Sequence, residues 1–279
     1  MTSRGRDEAA ERPDLLIVGG GRMGTALATG LIRAGWRPSS IAVAEKLVPR
    51  RNALADELPG VEVVALTPAE APSVVLAVKP ADAEEACRLA VPPTALRVLS
   101  IMAGVTTGAI ESWLEWVHPS PAVLRAMPNT PALVGAGISA LAGGGRASEE
   151  DFAWAEELLE AVGTVVRVDE ADLDAVTGLS GSGPAYVFLL VEMLQRAGVR
   201  AGLDPGTSQE LARRTLVGAA RLLEGSSEDP EELRAQVTSP GGTTEAGVEI
   251  LLSRGVEEAF AEAVLAATRR SRELGGRSR

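Results

Sequence analysis

Three glycines near the start of the chain have the spacing of a phosphate-binding loop. The segment Gly19-x-Gly21-x-x-Gly24 follows a short apolar run, residues 15–18, and opens a segment with helical periodicity. In such a loop Gly19 permits a tight turn, Gly21 lets a pyrophosphate approach the backbone, and Gly24 lets the helix pack on the strand. The helix N-terminus then offers free N–H groups and a partial positive charge to an anion. The preceding strand and the following helix favour dinucleotide binding over an ordinary glycine-rich turn.

A charged cluster follows the second apolar run. Glu45 lies 21 residues after Gly24, where a carboxylate can hydrogen-bond the adenosine ribose hydroxyls and so favours NADH. Lys46, Arg50 and Arg51 follow at once, and any of these cations would suit the 2′-phosphate of NADPH. A solvated, charged helix start is the other interpretation. The choice between NADH and NADPH therefore stays open, with a slight preference for NADH.

The residues that most often carry nucleophilic or metal chemistry are scarce. The chain has one cysteine, Cys87, and one histidine, His118, so we expect no disulfide within the chain, no metal site and no Ser-His-Asp triad. His118 precedes Pro119, which is typical of a surface turn rather than of a catalytic site. The net charge of −11 argues against a general nucleic-acid binder, because neutralising phosphates requires a high density of basic residues.

The spacing of apolar residues predicts an α/β fold in the first part of the chain. Short apolar strands separated by helices imply a mostly parallel sheet that is covered on both faces. Ser148 is expected to cap a helix that has Glu150 and Asp151 in its first turn. Strands are predicted at residues 15–18, 41–44, 61–66, 73–78, 97–101, 122–127, 138–142 and 165–168, and helices at 23–34, 49–58, 81–90, 106–116 and 148–162.

After Val168 the pattern becomes wholly helical. Helices or broken helices are predicted over residues 170–197, 206–224, 230–237 and 243–274. We therefore predict a dinucleotide-binding domain over residues 13–168, a helical domain over 169–279 and a disordered tail over 1–12. The N-terminus has no apolar targeting segment, and no run of about 18 uninterrupted apolar residues occurs, which favours a cytoplasmic protein without membrane or nucleic-acid partners.

Five further stretches go beyond a generic dinucleotide fold. They are residues 77–80 (AVKP), 100–106 (SIMAGVT), 125–131 (RAMPNTP), 179–186 (LSGSGPAY) and 238–244 (TSPGGTT). In this order they closely resemble the pyrroline-5-carboxylate reductase family, over residues 15–274, and the SPGGTT segment is the most specific part. The resemblance implies a Rossmann-like domain followed by a helical domain that forms an interlocked homodimer, with dimers commonly assembled into homodecamers. It also implies hydride transfer from NADPH or NADH to the C=N bond of 1-pyrroline-5-carboxylate, which gives L-proline in the last step of proline biosynthesis.

The SPGGTT segment has the composition of a loop that turns into a helix. Glycine lets its backbone reach a ligand, and the helix start presents N–H groups to an anion. We predict that backbone amides between Gly242 and Thr244 bind the substrate carboxylate; by resemblance, the Thr244 hydroxyl hydrogen-bonds the ring nitrogen and is the catalytic group. The alternative is a plain helix cap by Thr243 or Ser239. The predicted substrate-binding residues are Ser182, Ser239, Gly241, Gly242, Thr243 and Thr244.

Other predicted contacts lie where strands end, the usual place for cofactor contacts in parallel sheets. Lys79 would pair with a phosphate or be simply solvated, and Asn129 would lie near the nicotinamide or only shape a turn. The glycines and proline of residues 180–184 interrupt a helical segment, either for close approach to the nicotinamide pocket or as a kink between domains. The predicted cofactor-binding residues are Gly19, Gly21, Arg22, Met23, Gly24, Glu45, Ala77, Val78, Lys79, Pro80, Ile101, Met102, Ala103 and Asn129.

Two other functions fit part of the pattern. Another imine or β-hydroxyacid reductase would share the two-domain plan, but the hydroxyacid enzymes usually rely on a lysine in the helical half, and no lysine follows Val168. A dinucleotide-sensing protein without turnover would not need the Gly-Gly-Thr-Thr turn, which is intact. Some family members also have an acidic substrate contact; Glu224, Glu228 and Asp229 are candidates here, and none is assigned.

Overall fold

The computed structural model describes residues 12–65, 70–117 and 119–276. Three features of the prediction lie outside the described residues. They are His118, all but the last residue of the predicted tail, and Leu66 at the end of the third predicted strand. The chain divides into two compact units: residues 182–266 form the second, and the rest of the chain forms the first. This division falls later than the boundary predicted near Val168, which stays a prediction.

Among the described residues, eight strands form one sheet in the first unit. They are β1 (Leu15–Val18), β2 (Ile41–Ala44), β3 (Glu62–Val64), β4 (Ser73–Leu76), β5 (Arg97–Ser100), β6 (Ala122–Pro128), β7 (Gly137–Gly143) and β8 (Gly163–Arg167). Their order is β3-β2-β1-β4-β5-β6-β7-β8, and every neighbouring pair is parallel except β6 with β7. The mostly parallel sheet predicted from the apolar runs is therefore confirmed.

Helices connect these strands in the first unit. They are α1 (Arg22–Arg33), α2 (Val48–Glu57), α3 (Ala83–Ala90), α4 (Thr107–Trp113), α5 (Glu149–Glu160) and α6 (Leu173–Val176), with a π-helix at Thr177–Gly181 and short 3-10 turns at Pro38–Ser40, Pro80–Asp82, Thr130–Val134 and Glu170–Asp172. Ser148 caps α5 as predicted, because its hydroxyl accepts a hydrogen bond from the Asp151 amide at 3.3 Å.

The sheet is buried on both faces, as the apolar runs predicted. Successive side chains of a strand point to opposite faces. Leu15 and Ile17 join a buried cluster with α1 and α5, whereas Leu16 and Val18 join a second cluster with α3 and α4. All four side chains are fully buried, and each such burial stabilises the fold by roughly 1.5–3 kcal/mol. The two clusters make the Rossmann-like domain doubly wound.

The second unit is helical. It contains α7 (Gly183–Arg200), α8 (Pro205–Glu224), α9 (Pro230–Gln236), α10 (Thr243–Ser253) and the larger part of α11 (Val256–Gly276). Within the described residues no strand follows β8, so the helical second half is confirmed. None of the 18 residues of α7 is buried, although its sequence is rich in large apolar side chains. Such a surface is typical of an interface with another protein chain.

The end of α11 returns to the first unit. The Ser271 hydroxyl donates a hydrogen bond to the Asp174 carboxylate at 2.6 Å, and Gly275 packs so closely on Gly104 that a Cβ would lie 2.6 Å from the Gly104 carbonyl oxygen. The last turns of the chain are thereby fixed to the sheet domain. Among the described helices, none combines the length and the apolar character needed to cross a membrane.

Candidate active site

The glycine loop between β1 and α1 has a steric reason for two of its three glycines. Gly19 has a φ of +108°, and a Cβ there would lie 2.6 Å from the Ala77 carbonyl oxygen. A Cβ on Gly24 would lie 2.1 Å from the Gly19 carbonyl oxygen, so α1 packs directly on the turn. Gly21 is the N-cap of α1 and faces open space. The tight turn and the close helix packing predicted from the spacing are therefore both present.

Side chains after β2 hold the backbone of this loop at Gly20. The Glu45 carboxylate accepts a hydrogen bond from the Gly20 amide at 3.1 Å, and Arg50 Nε donates to the Gly20 carbonyl at 2.7 Å. Arg50 also donates to the Thr25 hydroxyl at 2.9 Å and pairs with both oxygens of Glu57 at 2.7 and 2.9 Å. Both polar groups of the Gly20 peptide are thus satisfied by side chains, which makes the loop rigid.

The ion pair of Arg50 with Glu57 stays charged over the physiological pH range. The Glu57 carboxylate raises the pKa of Arg50 through a two-point hydrogen bond, and the guanidinium lowers the pKa of Glu57 for the same reason. Glu45 has a second structural contact, because its other oxygen accepts the Leu47 amide at 2.9 Å. Sequence reasoning predicted Glu45 as a ribose ligand and offered Arg50 as one of three cations for a 2′-phosphate. It missed this structural role, which only the contacts in the fold reveal.

A pocket of about 480 Å³ lies at the carboxyl ends of β1, β2 and β4. Parallel pairing of β1 with both neighbours places these strand ends side by side, the usual place for a dinucleotide. Of the residues predicted to bind cofactor, the pocket brings together Gly19, Gly21, Glu45, Ala77, Val78 and Lys79. It also contains acidic residues that sequence reasoning missed, Asp82 in the turn after β4 and Glu85 in α3.

The other predicted cofactor residues do not line this pocket. Arg22 is exposed in the first turn of α1, and Met23 packs partly against the core. Ile101, Met102 and Ala103 follow β5, the next strand along from β4. Met102 is buried in the cluster with α3 and α4, and its amide donates a hydrogen bond to the Ser100 hydroxyl at 3.3 Å.

Asn129 uses its side chain to join three parts of the first unit. Its Nδ2 donates to the Ser180 carbonyl in the π-helix at 3.3 Å, and its Oδ1 accepts the Ile138 amide of β7 at 3.0 Å. Nearby, Gly181 packs against the end of the Met127 side chain, where a Cβ would lie 2.7 Å from Met127 Cε. The predicted nicotinamide contact of Asn129 stays a prediction, whereas its structural contacts are direct.

Glu170 fixes the start of residues 170–181 to the sheet domain, as Asn129 does near their end. Both oxygens of Glu170 accept hydrogen bonds from Thr107, one from its amide and one from its hydroxyl, each at 2.7 Å. The buried Arg125 lies 3.5 Å from the same carboxylate. Residues 170–181 are therefore fixed to the sheet at both ends, which is why the compact first unit extends to Gly181. The interruption around Ser182 falls at this junction, with a π-helix before it and α7 after it.

The second unit contains the Ser239–Thr244 turn. Gly241 has a φ of +69°, and a Cβ on Gly242 would lie 2.9 Å from the Ser239 carbonyl oxygen, so the backbone favours glycine at both positions. Gly242 is the N-cap of α10, without a side-chain cap, which contradicts the simple cap by Thr243 or Ser239. The Gly242 amide donates to the Ser239 carbonyl at 3.0 Å, so the first amides available to an anion are those of Thr243 and Thr244.

Comparison with known proteins matches two family models to separate parts of the chain. A family model described as pyrroline-5-carboxylate reductase dimerisation matches residues 170–274, and one described as NADP oxidoreductase coenzyme F420-dependent matches residues 14–104. The pyrroline-5-carboxylate reductase of Synechocystis sp. is 43% identical over 93% of this chain and 97% of its own length.

The chain belongs to the pyrroline-5-carboxylate reductase family. It is therefore an NAD(P)H-dependent oxidoreductase that acts on a small molecule and forms an oligomer. A pyrroline-5-carboxylate reductase from Coxiella burnetii has the same fold, with a TM-score of 0.84 and 35% identity over 95% of this chain and 99% of that one. A Plasmodium falciparum pyrroline carboxylate reductase, solved with NADP bound, has a TM-score of 0.78 and 27% identity over 95% of this chain and 99% of that one.

The candidates for an acidic substrate contact have local roles in this reductase. Glu228 accepts a hydrogen bond from the Gln236 side chain at 2.7 Å, and the Asp229 amide donates to Glu232 at 3.3 Å, so these residues organise α9. Glu224 is exposed at the end of α8. The structure therefore selects none of the three as a substrate ligand.

The contacts of Arg50 predict that its replacement weakens the binding of NADH and NADPH equally. Arg50→Met should weaken binding of NADH and NADPH by the same factor, about tenfold, because it removes a charge-assisted hydrogen bond to the glycine loop. Nucleotide titration of the purified variant measures both constants. Arg33→Met, the same substitution in the last turn of α1, is the matched control and should change neither. A loss confined to NADPH would show that Arg50 contacts the 2′-phosphate instead.

Proposed function

We propose that this chain reduces the C=N bond of 1-pyrroline-5-carboxylate to give L-proline, the last step of proline biosynthesis, with NADPH or NADH as reductant. The observation that carries the proposal is 43% identity to a reductase of that name over 93% of the chain. The absence of lysine after Val168 disfavours a β-hydroxyacid reductase of the same architecture. The intact SPGGTT segment disfavours a protein that only senses the dinucleotide.

The glycine loop fits the phosphates of a dinucleotide. The N-terminus of α1 has no side-chain cap and no acidic residue in its first turn, so its N–H groups and partial positive charge are available to an anion. At Gly21 no other atom lies within 4 Å of the position that a Cβ would take, so a ligand can approach the backbone there. The other proposed cofactor-binding residues of this loop are Gly19, Arg22, Met23 and Gly24. When bound here, NAD(P)H supplies the hydride that the imine carbon accepts.

The turn before α10 fits the carboxylate of the substrate. The amides of Thr243 and Thr244 lie in the first turn of an 11-residue helix, where no carbonyl of the helix accepts from them. The positive φ of Gly241 and the tight packing of Gly242 on Ser239 set the direction of these amides. A carboxylate held by them is fixed by backbone groups that need no reorganisation during the reaction.

The hydroxyl of Thr244 is the proposed catalytic group. It lies on an exposed residue beside the proposed carboxylate site, where it would hydrogen-bond the ring nitrogen and keep its proton in place. A protonated imine is already a strong hydride acceptor, so positioning and electrostatics are what remains for the protein. One hydroxyl contributes about 1–3 kcal/mol to such a step. Ser182, at the start of α7, is the remaining proposed substrate contact.

Steady-state kinetics with both cofactors test the activity. The purified protein should oxidise NADPH, NADH or both when 1-pyrroline-5-carboxylate is added, and the product should be L-proline. A cyclic imine without the carboxylate is the control substrate, and it should turn over far more slowly, because the amides of α10 then have no anion to bind. Absence of turnover with either cofactor would refute the proposal.

Removing the proposed catalytic hydroxyl should affect turnover more than cofactor binding. Thr244→Ala should lower kcat by about 10–100-fold, the loss expected for one hydrogen bond made in the transition state. Thr244→Ser should restore most of the activity, since it keeps the hydroxyl. The control is Thr164→Ala on the exposed edge strand β8, which should leave the rate unchanged. If Thr244→Ala matches the parent enzyme, the hydroxyl has no catalytic role.

We further propose that the oligomer is built from homodimers, which commonly assemble into decamers in this family. The exposed apolar side chains of α7 support this proposal. Phe188 and Leu189 are 69% and 50% exposed in the single chain, and Met193 and Leu194 follow on the same helix with 48% and 43% exposed. An apolar surface of this extent is rarely left in water. The family model for dimerisation covers the same helix.

A charge on this helix should dissociate the assembly. Phe188→Glu should lower the mass measured by light scattering, because a buried, unpaired carboxylate is costly at an apolar interface. Leu96→Glu places the same charge on an exposed apolar residue of the sheet domain, 54% exposed, and should leave the mass unchanged. Dissociation by Leu96→Glu alone would place the interface on the sheet domain instead. The mass of the unaltered protein distinguishes a dimer from a decamer.

A further inference from the structure

Lysine is almost absent from this chain. Lysine and arginine together number 27, and Lys46 and Lys79 are the only lysines among them. Both line the pocket at the carboxyl ends of β2 and β4. Lysine places a compact ammonium on a flexible stem, whereas arginine has a planar guanidinium.

The two arginines near Lys46 are already committed to the backbone. Arg50 holds the Gly20 carbonyl and Glu57, and Arg51 donates to the carbonyl oxygens of Glu45 at 2.8 Å and of Lys46 at 3.0 Å. Arg50 would have to release part of the loop to meet a ligand, and Arg51 does not line the pocket. Of the three cations that the sequence offered for a 2′-phosphate, Lys46 is therefore the one that can change partner without disturbing the loop.

Lys46 lies in a weak ion pair across the pocket. Its Nζ is 2.7 Å from Asp82 Oδ1 and 4.0 Å from Glu85 Oε2, which joins the β2 side of the pocket to the β4 side. The Lys46 side chain is 47% exposed and that of Asp82 is 34% exposed. Exposed pairs of this kind contribute about 0–1 kcal/mol, so an incoming dianion can displace Asp82 from the ammonium.

We infer that Lys46 decides whether this pocket accepts a 2′-phosphorylated adenosine, and that Asp82 and Glu85 compete with the phosphate for its ammonium group. A phosphate placed beside the Glu45 carboxylate requires a cation, and Lys46 follows Glu45 directly at the end of β2. With Lys46 on Asp82, the pocket suits the ribose hydroxyls of NADH; with Lys46 turned to the ligand, it suits NADPH. The inference rests on the proposed function only in taking this pocket as the adenosine end of the cofactor site.

Binding of the adenosine end alone tests this inference without any need for turnover. Adenosine 2′,5′-bisphosphate and 5′-AMP are titrated by calorimetry at low salt, and the ratio of their dissociation constants is the readout. Lys46→Gln should weaken the bisphosphate about tenfold more than 5′-AMP, the loss of one charge-assisted contact. Asp82→Asn should shift the ratio severalfold toward the bisphosphate, because the competitor for the ammonium is gone.

A double variant and two controls separate competition from a general charge effect. In Lys46→Gln combined with Asp82→Asn, the gain from the Asp82 change should disappear, since the two residues act through one contact. Glu84→Gln and Arg88→Gln alter charges on the same helix, α3, that pair with each other at 3.0 Å and do not line the pocket. Both controls should leave the ratio unchanged.

Three results would overturn the inference. They are an equal loss of both ligands in Lys46→Gln, no gain in Asp82→Asn, or the same gain in Glu84→Gln as in Asp82→Asn. Failure of the proposed reaction would show itself differently, as normal nucleotide binding without oxidation of NADPH or NADH by the imine.

Discussion

The parallel pairing of β1 with β2 on one side and β4 on the other is the constraint on which the nucleotide-binding unit depends. Its register aligns Val18 with both Ala44 and Leu76, so three strands end in one row. The residues that follow them, the glycine loop, Glu45 and Lys79, therefore surround one pocket although they are far apart in the sequence. Glu45 and Arg50 then hold the Gly20 peptide from both sides. A loop held this way presents its amides in one direction, which an anion-binding site requires.

Backbone groups at two helix starts carry most of the proposed chemistry. The N-termini of α1 and α10 both follow glycines and both lack a side-chain cap. A cofactor rich in phosphate and a substrate with a carboxylate each need an anion site, and helix amides provide one without a titratable side chain. This explains how a chain with one histidine, one cysteine and two lysines can belong to a family of reductases.

Residues 170–181, which precede the second unit, are fixed more firmly than their sequence indicates. Glu170 bonds to Thr107 at its start, and Ser180 bonds to Asn129 near its end. A partly buried carboxylate or amide is costly to leave unpaired, so the contacts are not easily given up. The π-helix that they enclose is a form found mostly at functional positions. The side chains of the sheet domain thereby fix the segment that precedes α7.

The sequence by itself determined the fold class and the residues of the two proposed anion sites. Apolar runs of four residues followed by helical periodicity specify buried parallel strands, and the spacing of Gly19, Gly21 and Gly24 specifies the turn between them, because these are local properties of the chain. The SPGGTT segment is equally local. Some strands were predicted to extend up to two residues too far. For example, β4 was predicted to end at Val78, but it ends at Leu76, where the chain turns into the pocket.

Tertiary structure alone decided what the charged residues do. Nothing in the order of residues shows that Arg50 bonds to Gly20, 30 positions earlier, or that Lys46 meets Asp82, 36 positions later. Glu45 was predicted to bind the ribose, and Lys46, Arg50 and Arg51 were alternative ligands for a 2′-phosphate. The fold commits Glu45, Arg50 and Arg51 to backbone atoms while leaving Lys46 on an exchangeable partner. The reason is that a side chain's partner depends on which strands are neighbours, and that neighbourhood is set by the sheet as a whole.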